Sequence, residues 1–453
     1  MSKVIKITKG LNIPLKGEAE KILTTPARAD LYALKPTDFH GLTPKMMIKE
    51  GEKVQAGSPL FFDKYNEDIL FVSPVSGVFT QLVRGDKRRI LEIHIKPDEV
   101  DDYVDFGAAD PLSLKRDEIV KKLLESGLWP TIRQRPYSIV ANPKDKPKNI
   151  FISGFNTVPL ATDMDFVING QEKQLQTGIN ALSKLTEGDV HLSVHEIQTT
   201  SKALLEANNV KLHYFKGPHP AGNVGIQIHH IEPINKGDIV WYLDLQSVIM
   251  IGRLFEKGIY DAKKIVALVG SEVSNRRYFK IINGAGIKSF TSNNIKQNED
   301  VELRYISGDV LSGTKIDSDG FIGFYHDMLS VIPEGNNREL LGWITPQLDK
   351  YSISRTFFSF LTPWKKYRIN TNARSGERPF VVTGQYEKVL PMNIYPVQLV
   401  KSILIEDIDM MEKLGIYEVA PEDLALCEFV CTSKIEVQSI IREGLDLIKK
   451  EFE

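Results

Sequence analysis

Two arginines and a tyrosine fall within five residues in Trp129-Pro-Thr-Ile-Arg-Gln-Arg-Pro-Tyr137, where Arg133, Arg135 and Tyr137 stand beside prolines. Guanidinium and aromatic groups together can clamp an anion or a flat ring. The three are therefore expected near a ligand cleft or an interface, although such a cluster also suits the pinning of a domain boundary. A second candidate is the loop Gly217-Pro-His-Pro-Ala-Gly222, which carries His219 and Gly222. Its glycines and prolines impose unusual backbone angles, and a Gly-rich turn at the carboxyl end of a strand is where open α/β sheets hold ligands. A lone loop histidine is also commonly a solvated or capping residue.

Cys427 and Cys431, the two cysteines of the chain, would share one face of a helix. Two thiols cannot close a four-ligand zinc or iron–sulfur site. They read as buried structural thiols, with a metal possible only if a partner supplied further ligands. His191 and His195 lie on a strand, where four residues span about 13 Å, too far for one metal. Asp317-Ser-Asp-Gly320 lacks the later glutamate of a calcium loop and reads as a turn. No catalytic residue and no metal site is assigned.

The elements that must position these groups run from Lys211 to Leu254. Leu212 to Phe215 reads as a strand, Ile226 to Ile231 and Ile239 to Leu245 as two more, and Val248, Ile251 and Leu254 mark a helix. Upstream, a helix over Leu114 to Ser126 is followed by strands at Asn149 to Ser153 and Val190 to Val194, with helical stripes between them. This βαβαβ order implies a parallel, Rossmann-like sheet with right-handed crossovers. The loop lacks the GxGxxG or GK[ST] that a nucleotide needs, two prolines remove N–H donors, and a strand is expected to follow it. A bound nucleotide is not expected.

The 453 residues carry a formal net charge of -2, with 42% hydrophobic and 26% charged residues. That composition suits an ordinary multidomain globular protein and gives no nucleic-acid signal. The two cysteines argue for a reducing compartment. The start, MSKVIKITKG, has no secretory h-region. No run of about 18 apolar residues is present, so membrane association would have to pass through partners.

Four units are expected: a β domain over 1–108, the α/β domain over 109–262, a small β-grasp domain over 263–335 and a helical domain over 336–453. In the last, Val400, Ile403, Leu404, Ile408 and Met411 read as one helical stripe and Val437, Ile440, Ile441, Leu445 and Ile448 as another. In the first, Ile48 to Gly57, Pro59-Leu-Phe-Phe62 and Val72 to Val78 resemble the biotinyl/lipoyl hammerhead. A carrier needs its modified lysine at an exposed hairpin tip. The nearest lysine, Lys64 in Phe-Asp-Lys-Tyr-Asn, is not within Met-Lys-Met, so a structural β-sandwich is expected.

The order of these pieces, with Lys9-Gly-Leu-Asn-Ile-Pro-Leu15, Pro59 to Lys64, Arg133-Gln-Arg-Pro-Tyr137, Gly217 to Gly222, Ile251-Gly-Arg-Leu-Phe255, Tyr386 to Met392 and Asp423-Leu-Ala-Leu-Cys-Glu-Phe-Val-Cys431, resembles the NqrA family of bacterial sodium-translocating NADH:quinone reductase subunits. The resemblance spans essentially the whole chain. It implies a peripheral subunit on the cytoplasmic side of the inner membrane, within a six-subunit complex that uses NADH, flavins, iron–sulfur and quinone. It further implies kinship with the flavin- and NADH-binding subunit of complex I and with the Rnf subunit, and makes the β-grasp domain over 263–335 SLBB-like. In those relatives the equivalent loop borders a flavin and a C-terminal cysteine cluster holds iron and sulfur. Here no cofactor is expected on the chain itself, and a share in quinone binding and assembly is implied. The alternatives are a free-standing flavin or NAD oxidoreductase and a biotin or lipoyl carrier.

Overall fold

The structure, a computed structural model, describes residues 4–296, 300–336, 341–342, 348–373, 376 and 378–452. The chain starts with two short strands, β1 (Val4–Lys6) and β2 (Glu20–Thr24), that leave the N-terminal unit altogether. The strands that follow, β3 (Tyr32–Leu34), β4 (Pro44–Met46), β5 (Lys53–Val54), β6 (Pro59–Asp63), β7 (Asn66–Val72), β8 (Gly77–Arg84) and β9 (Ile90–Pro97), build two small sheets, β3-β9-β8-β5 and β4-β6-β7. Alternation buries Leu60, Phe71, Phe79, Ile93 and Ile95 between them, and Phe61 stacks on Phe71 at 4.6 Å.

Next come α1 (Arg116–Glu125), the hairpin β10 (Arg133–Arg135) and β11 (Ile139–Val140), and β12 (Ile150–Ser153). After α2 (Met164–Ile168) and α3 (Glu172–Leu182) the chain runs through β13 (Val190–His195), α4 (Lys202–Leu205), β14 (Lys211–Lys216), α5 (Val224–Ile231), β15 (Val240–Asp244) and α6 (Leu245–Lys257). The sheet order is β1-β14-β13-β12-β15-β10-β11. Its five strands β1, β14, β13, β12 and β15 are parallel, and β10 and β11 extend it antiparallel. The expected unit 1–108 thus lends its first strand to the α/β sheet.

One expected strand is a helix. Ile226 to Ile231 belongs to α5, because parallel β14 and β15 are separated by β13 and β12 and the chain must cross a sheet face to join them. A helix makes that crossover while burying Ile226 and Ile228. α6 obeys ordinary capping: the Asp244 carboxylate accepts from the Ser247 N–H at 2.9 Å, and Gly258 ends the helix at φ 72°. α3 and α6 approach through reciprocal glycines. A Cβ at Gly178 would strike the Val248 carbonyl, and one at Gly252 the Gln174 carbonyl.

The third unit has β16 (Lys263–Val269), β17 (Arg277–Ile282), α7 (Lys288–Thr291), β18 (Leu303–Ser307), β19 (Thr314–Ile316) and β20 (Met328–Pro333). The order is β19-β18-β20-β16-β17-β2, so the second N-terminal strand completes this sheet. Asp317 to Gly320 is a turn, as expected.

The last unit carries α8 (Tyr386–Val389), α9 (Pro396–Leu404), α10 (Ile408–Lys413), α11 (Ala425–Val430) and α12 (Val437–Phe452). The stripe from Val400 to Met411 is two helices rather than one. Glu406 adopts φ 55° and the Asp407 carboxylate caps α10, accepting from the Met410 N–H at 3.0 Å. Among the described residues no helix is long and apolar enough to cross a membrane.

Candidate functional site

β12 lies between β13 and β15, so the strand order reverses at the β12–β15 pair, where Ile152 faces Leu243 in register. Open α/β sheets hold ligands at the carboxyl ends of such a pair. A cleft of about 410 Å³ opens there, lined by Ser153, Phe155 and Asn156 after β12 and by Asp244, Leu245 and Gln246 after β15. Asp309, Leu311 and the run Tyr325 to Met328 from the third unit, with Glu422, Ala425 and Gln438 from the helical unit, complete the walls.

Arg133 lines the cleft because of its strand register. It pairs with Tyr242 across β10 and β15, and its guanidinium carbon lies 4.5 Å from the Tyr242 ring centroid and 4.5 Å from that of Tyr325. Tyr325 is held by donating to the Pro130 carbonyl at 2.6 Å. The Arg133 Nε is buried without a hydrogen-bond partner among the described residues, and such a donor is costly to leave unpaired. Opposite it, burial, with Asp244 nearby, pushes the half-buried Asp327 carboxyl up to about 6 against the pull of Lys264. Burial drives the neighbouring His326 down to about 3, and its Nδ1 lies 2.8 Å from the Ser307 hydroxyl.

The Gly217 to Gly222 loop forms a further wall. His219 is 2% exposed, its Nδ1 is 3.1 Å from the Thr157 hydroxyl, and burial lowers it to about 4, so it is neutral at neutral pH. The Gly222 N–H donates to Thr157 Oγ1 at 2.9 Å and its carbonyl accepts from the Ser153 hydroxyl at 3.0 Å. A Cβ at Gly222 would sit 2.7 Å from the Thr157 nitrogen. The N-terminal string is what braces this loop. The Leu11 N–H donates to the His219 carbonyl at 2.8 Å, and Asn12 Oδ1 accepts from the His219 N–H at 2.9 Å.

The loop leads into a helix, so the expected absence of a helix N-terminus is corrected. Something else occupies that position. Arg135, fully buried on the same face of β10 as Arg133, donates to Asp423 at 2.6 Å and to Glu422 at 3.1 Å. The Asp423 carboxylate lies against the first turn of α5, where a Cβ at Gly225 would fall inside it. Burial works against the Arg135 charge, but Asp423 and Glu422 outweigh it and hold the guanidinium above its ordinary value. An internal carboxylate, held by Arg135 and by the Ala420 N–H at 3.0 Å, therefore lies against the first turn of α5.

Arg135 and Tyr137 do not line the cleft. Tyr137 adopts φ 81° and its carbonyl accepts from Arg442 Nη1 at 2.7 Å, which ties β10 to α12. Cys427 and Cys431 are both buried, but Cys431 stands just past α11 in extended backbone rather than on the helix. Tyr386 donates to its sulfur at 3.1 Å, and burial pushes the Cys427 thiol up, which keeps it protonated. Among the described residues no group of three or more His, Cys, Asp or Glu is placed to hold a metal. His191 Nδ1 lies 2.8 Å from His213 Nε2, and the His191 ring stacks on Phe151. Lys64 sits on the exposed two-residue turn between β6 and β7, so the hairpin-tip geometry does not by itself separate this unit from a carrier.

Sequence reasoning missed Tyr242, Asp244, Tyr325, His326 and Asp327. The only signal was chemical: Tyr-His-Asp in one short run after a Gly turn, and Asp244 at a strand-to-helix junction.

The chain matches three domain families: the NqrA N-terminal barrel-sandwich hybrid domain over residues 5–98, the NqrA second alpha/beta domain over 114–260 and the NQRA C-terminal domain, an SLBB domain, over 265–318. It is 37% identical to the NqrA protein of the Na(+)-translocating NADH-quinone reductase of Neisseria meningitidis serogroup C, over 99% of this chain and 100% of that one. The same-named protein of Photorhabdus laumondii is 37% identical at the same coverage, and that of Rhodopirellula baltica 36%, over 99% and 98%. Among solved structures, a chain of NAD+-reducing [NiFe]-hydrogenase in the H2-reduced state aligns over 75% of this chain and 62% of that one. At 10% identity and a TM-score of 0.38, that likeness carries no argument.

Proposed function

The chain belongs to the NqrA family, one of the subunits of Na(+)-translocating NADH-quinone reductase, and from that premise we propose that its cleft receives the ring of a quinone while redox cofactors reside on partner subunits. The observation that carries this reading is the Arg133 guanidinium, between the Tyr242 and Tyr325 rings and with an unpaired Nε among the described residues, in a cleft also lined by apolar Phe155, Val158, Met164 and Leu243. A quinone is a flat ring with two carbonyl acceptors. Aromatic walls and one cationic donor are the groups that recognise it.

The chain's own residues would divide the work. Arg133 donates to a carbonyl oxygen, Tyr242 and Tyr325 hold the guanidinium plane, and Asp327, raised to about 6, takes up a proton as pH falls through that value. A flavin or dinucleotide fits less well, since its phosphate would have to displace Asp423 from the first turn of α5 and break the Arg135 pair. Relatives named as one subunit of a reductase likewise favour a place within a complex over a free-standing oxidoreductase. The six-subunit assembly, the cytoplasmic side, the peripheral attachment and kinship with the complex I and Rnf subunits belong to the same proposal. The family membership and the domain order support them.

Titration of the full chain and of the assembled complex with a water-soluble short-chain quinone tests the reading. Arg133→Met should weaken binding about tenfold or more, the value of one charge-assisted hydrogen bond. Unchanged affinity would reject it, as would flavin absorbance near about 450 nm in the purified chain. Intact mass that shows a modified Lys64 would favour a carrier instead.

A further inference from the structure

Between Leu348 and Arg368 lies a surface that the cleft does not use. This stretch has five basic side chains against the single Asp349, in a chain whose net charge is -2; Lys350 is buried and Arg368 pairs with Glu272, which leaves Arg355, Lys365 and Lys366 at the surface. It contains a short 3-10 turn, Phe358–Leu361, and almost no other regular structure. It is nevertheless pinned at both ends. Phe357 and Tyr367 are buried, and the Phe357 N–H donates to Ser352 Oγ at 2.9 Å. The Tyr367 N–H donates to the Pro14 carbonyl at 2.7 Å, and its hydroxyl lies 2.8 Å from that of Thr362.

What is held out between those pins is apolar. Trp364 is 79% exposed and Leu361 58%, with Phe360 and Phe358 also exposed beside them. Four large apolar side chains stand exposed within seven residues, a local density of the kind that marks an interaction site. Around it stand Arg355, Lys365 and Lys366. Arg355 has no carboxylate partner among the described residues and leans on the Phe360 ring at 5.8 Å. Lys365 and Lys366 pair with Asp349 and Glu18, exposed ion pairs of the kind that contribute little and yield readily to phosphate.

We infer that Phe358, Phe360, Leu361 and Trp364 insert into the headgroup boundary of an anionic bilayer, with Arg355, Lys365 and Lys366 on the lipid phosphates. Aromatic side chains favour that depth, and basic residues at its rim gain from the negative surface potential. The charge complementarity selects lipid over an apolar protein partner. The inference stands on a different surface from the quinone cleft, and neither depends on the other.

Co-sedimentation of the full chain with protein-free vesicles tests it. At low salt the chain should bind vesicles with about one third phosphatidylglycerol in phosphatidylethanolamine at least about tenfold more than pure phosphatidylcholine vesicles, and added salt should reverse the binding. Leu361→Ser with Trp364→Ser should reduce binding about tenfold, as should Lys365→Glu with Lys366→Glu. Both pairs are surface changes that leave the unfolding midpoint near that of the parent. Ile405→Ser, at a side chain 73% exposed on the helical unit, should leave binding unaltered. Equal binding by parent and patch variants would overturn the inference. So would failure to bind either vesicle, including the case in which attachment appears only with a protein partner present.

Discussion

The Arg135 guanidinium donates at 2.6 Å to the Asp423 carboxylate across 288 residues of sequence, and both side chains are almost wholly buried. This pair joins the antiparallel extension of the α/β sheet to the C-terminal helices and rests on the first turn of α5.

Removing one partner of this pair leaves a buried charge uncompensated. Arg135→Met and Asp423→Asn should each destabilise the full chain by about 3–5 kcal/mol, measured by chemical unfolding. The double variant should recover part of that loss. Costs that simply add would contradict the coupling.

Gly225 admits the Asp423 carboxylate to α5. Gly225→Ala, a change that ordinarily favours a helix, should instead lower stability by about 1–3 kcal/mol through overpacking. A gain in the unfolding midpoint would refute the account.

Burial holds His191 and His219 down at about 4 and His326 at about 3, against an ordinary 6.5. Between those values the unfolded chain binds protons that the folded chain does not. The stability these histidines contribute is complete above about pH 6.5 and is lost as pH falls, by about 1.4 kcal/mol per pH unit for each. Asp327, raised to about 6, acts in the opposite sense: its contribution is complete below its ordinary 3.8 and is lost as pH rises through 6. Burial lowers His195, His213 and His230 as well and raises Asp38 and Asp423 alongside Asp327, so the histidines outnumber the carboxyls and denaturation midpoints should fall from pH 6.5 to 5. His326→Gln should make that slope shallower.

Asp327 faces the cleft with a proton affinity near neutrality. Quinone affinity of the parent should therefore change between about pH 5 and 7, and Asp327→Asn should flatten the profile. The measurement is a titration of a short-chain quinone at several pH values. A variant profile identical to the parent's would remove Asp327 from the site.

Much of this protein was legible in its residues. Apolar runs, apolar stripes and turn chemistry located β12, β13, β14, β15, α1, α6 and α12, because each carries the apolar residues that its place in the core requires. The Gly217 to Gly222 loop announced itself through backbone angles that few residues accept. The family was legible from strings such as Asp423 to Cys431.

Other features were set only by tertiary contacts. Ile226 to Ile231 has β-branched residues at strand-like spacing, yet it is helical, because a crossover between non-adjacent parallel strands requires it. The pairing of β1 with β14 and β2 with β17 depends on sheet edges made by distant residues. Arg133 and Arg135 look equivalent in sequence. The first meets two aromatic rings and the cleft, the second two carboxylates in the interior, because the third unit sets a ring against one and the helical unit sets carboxylates against the other. Local periodicity decides which residues turn inward, while the meeting of units remote in sequence decides which of those remain open to a ligand.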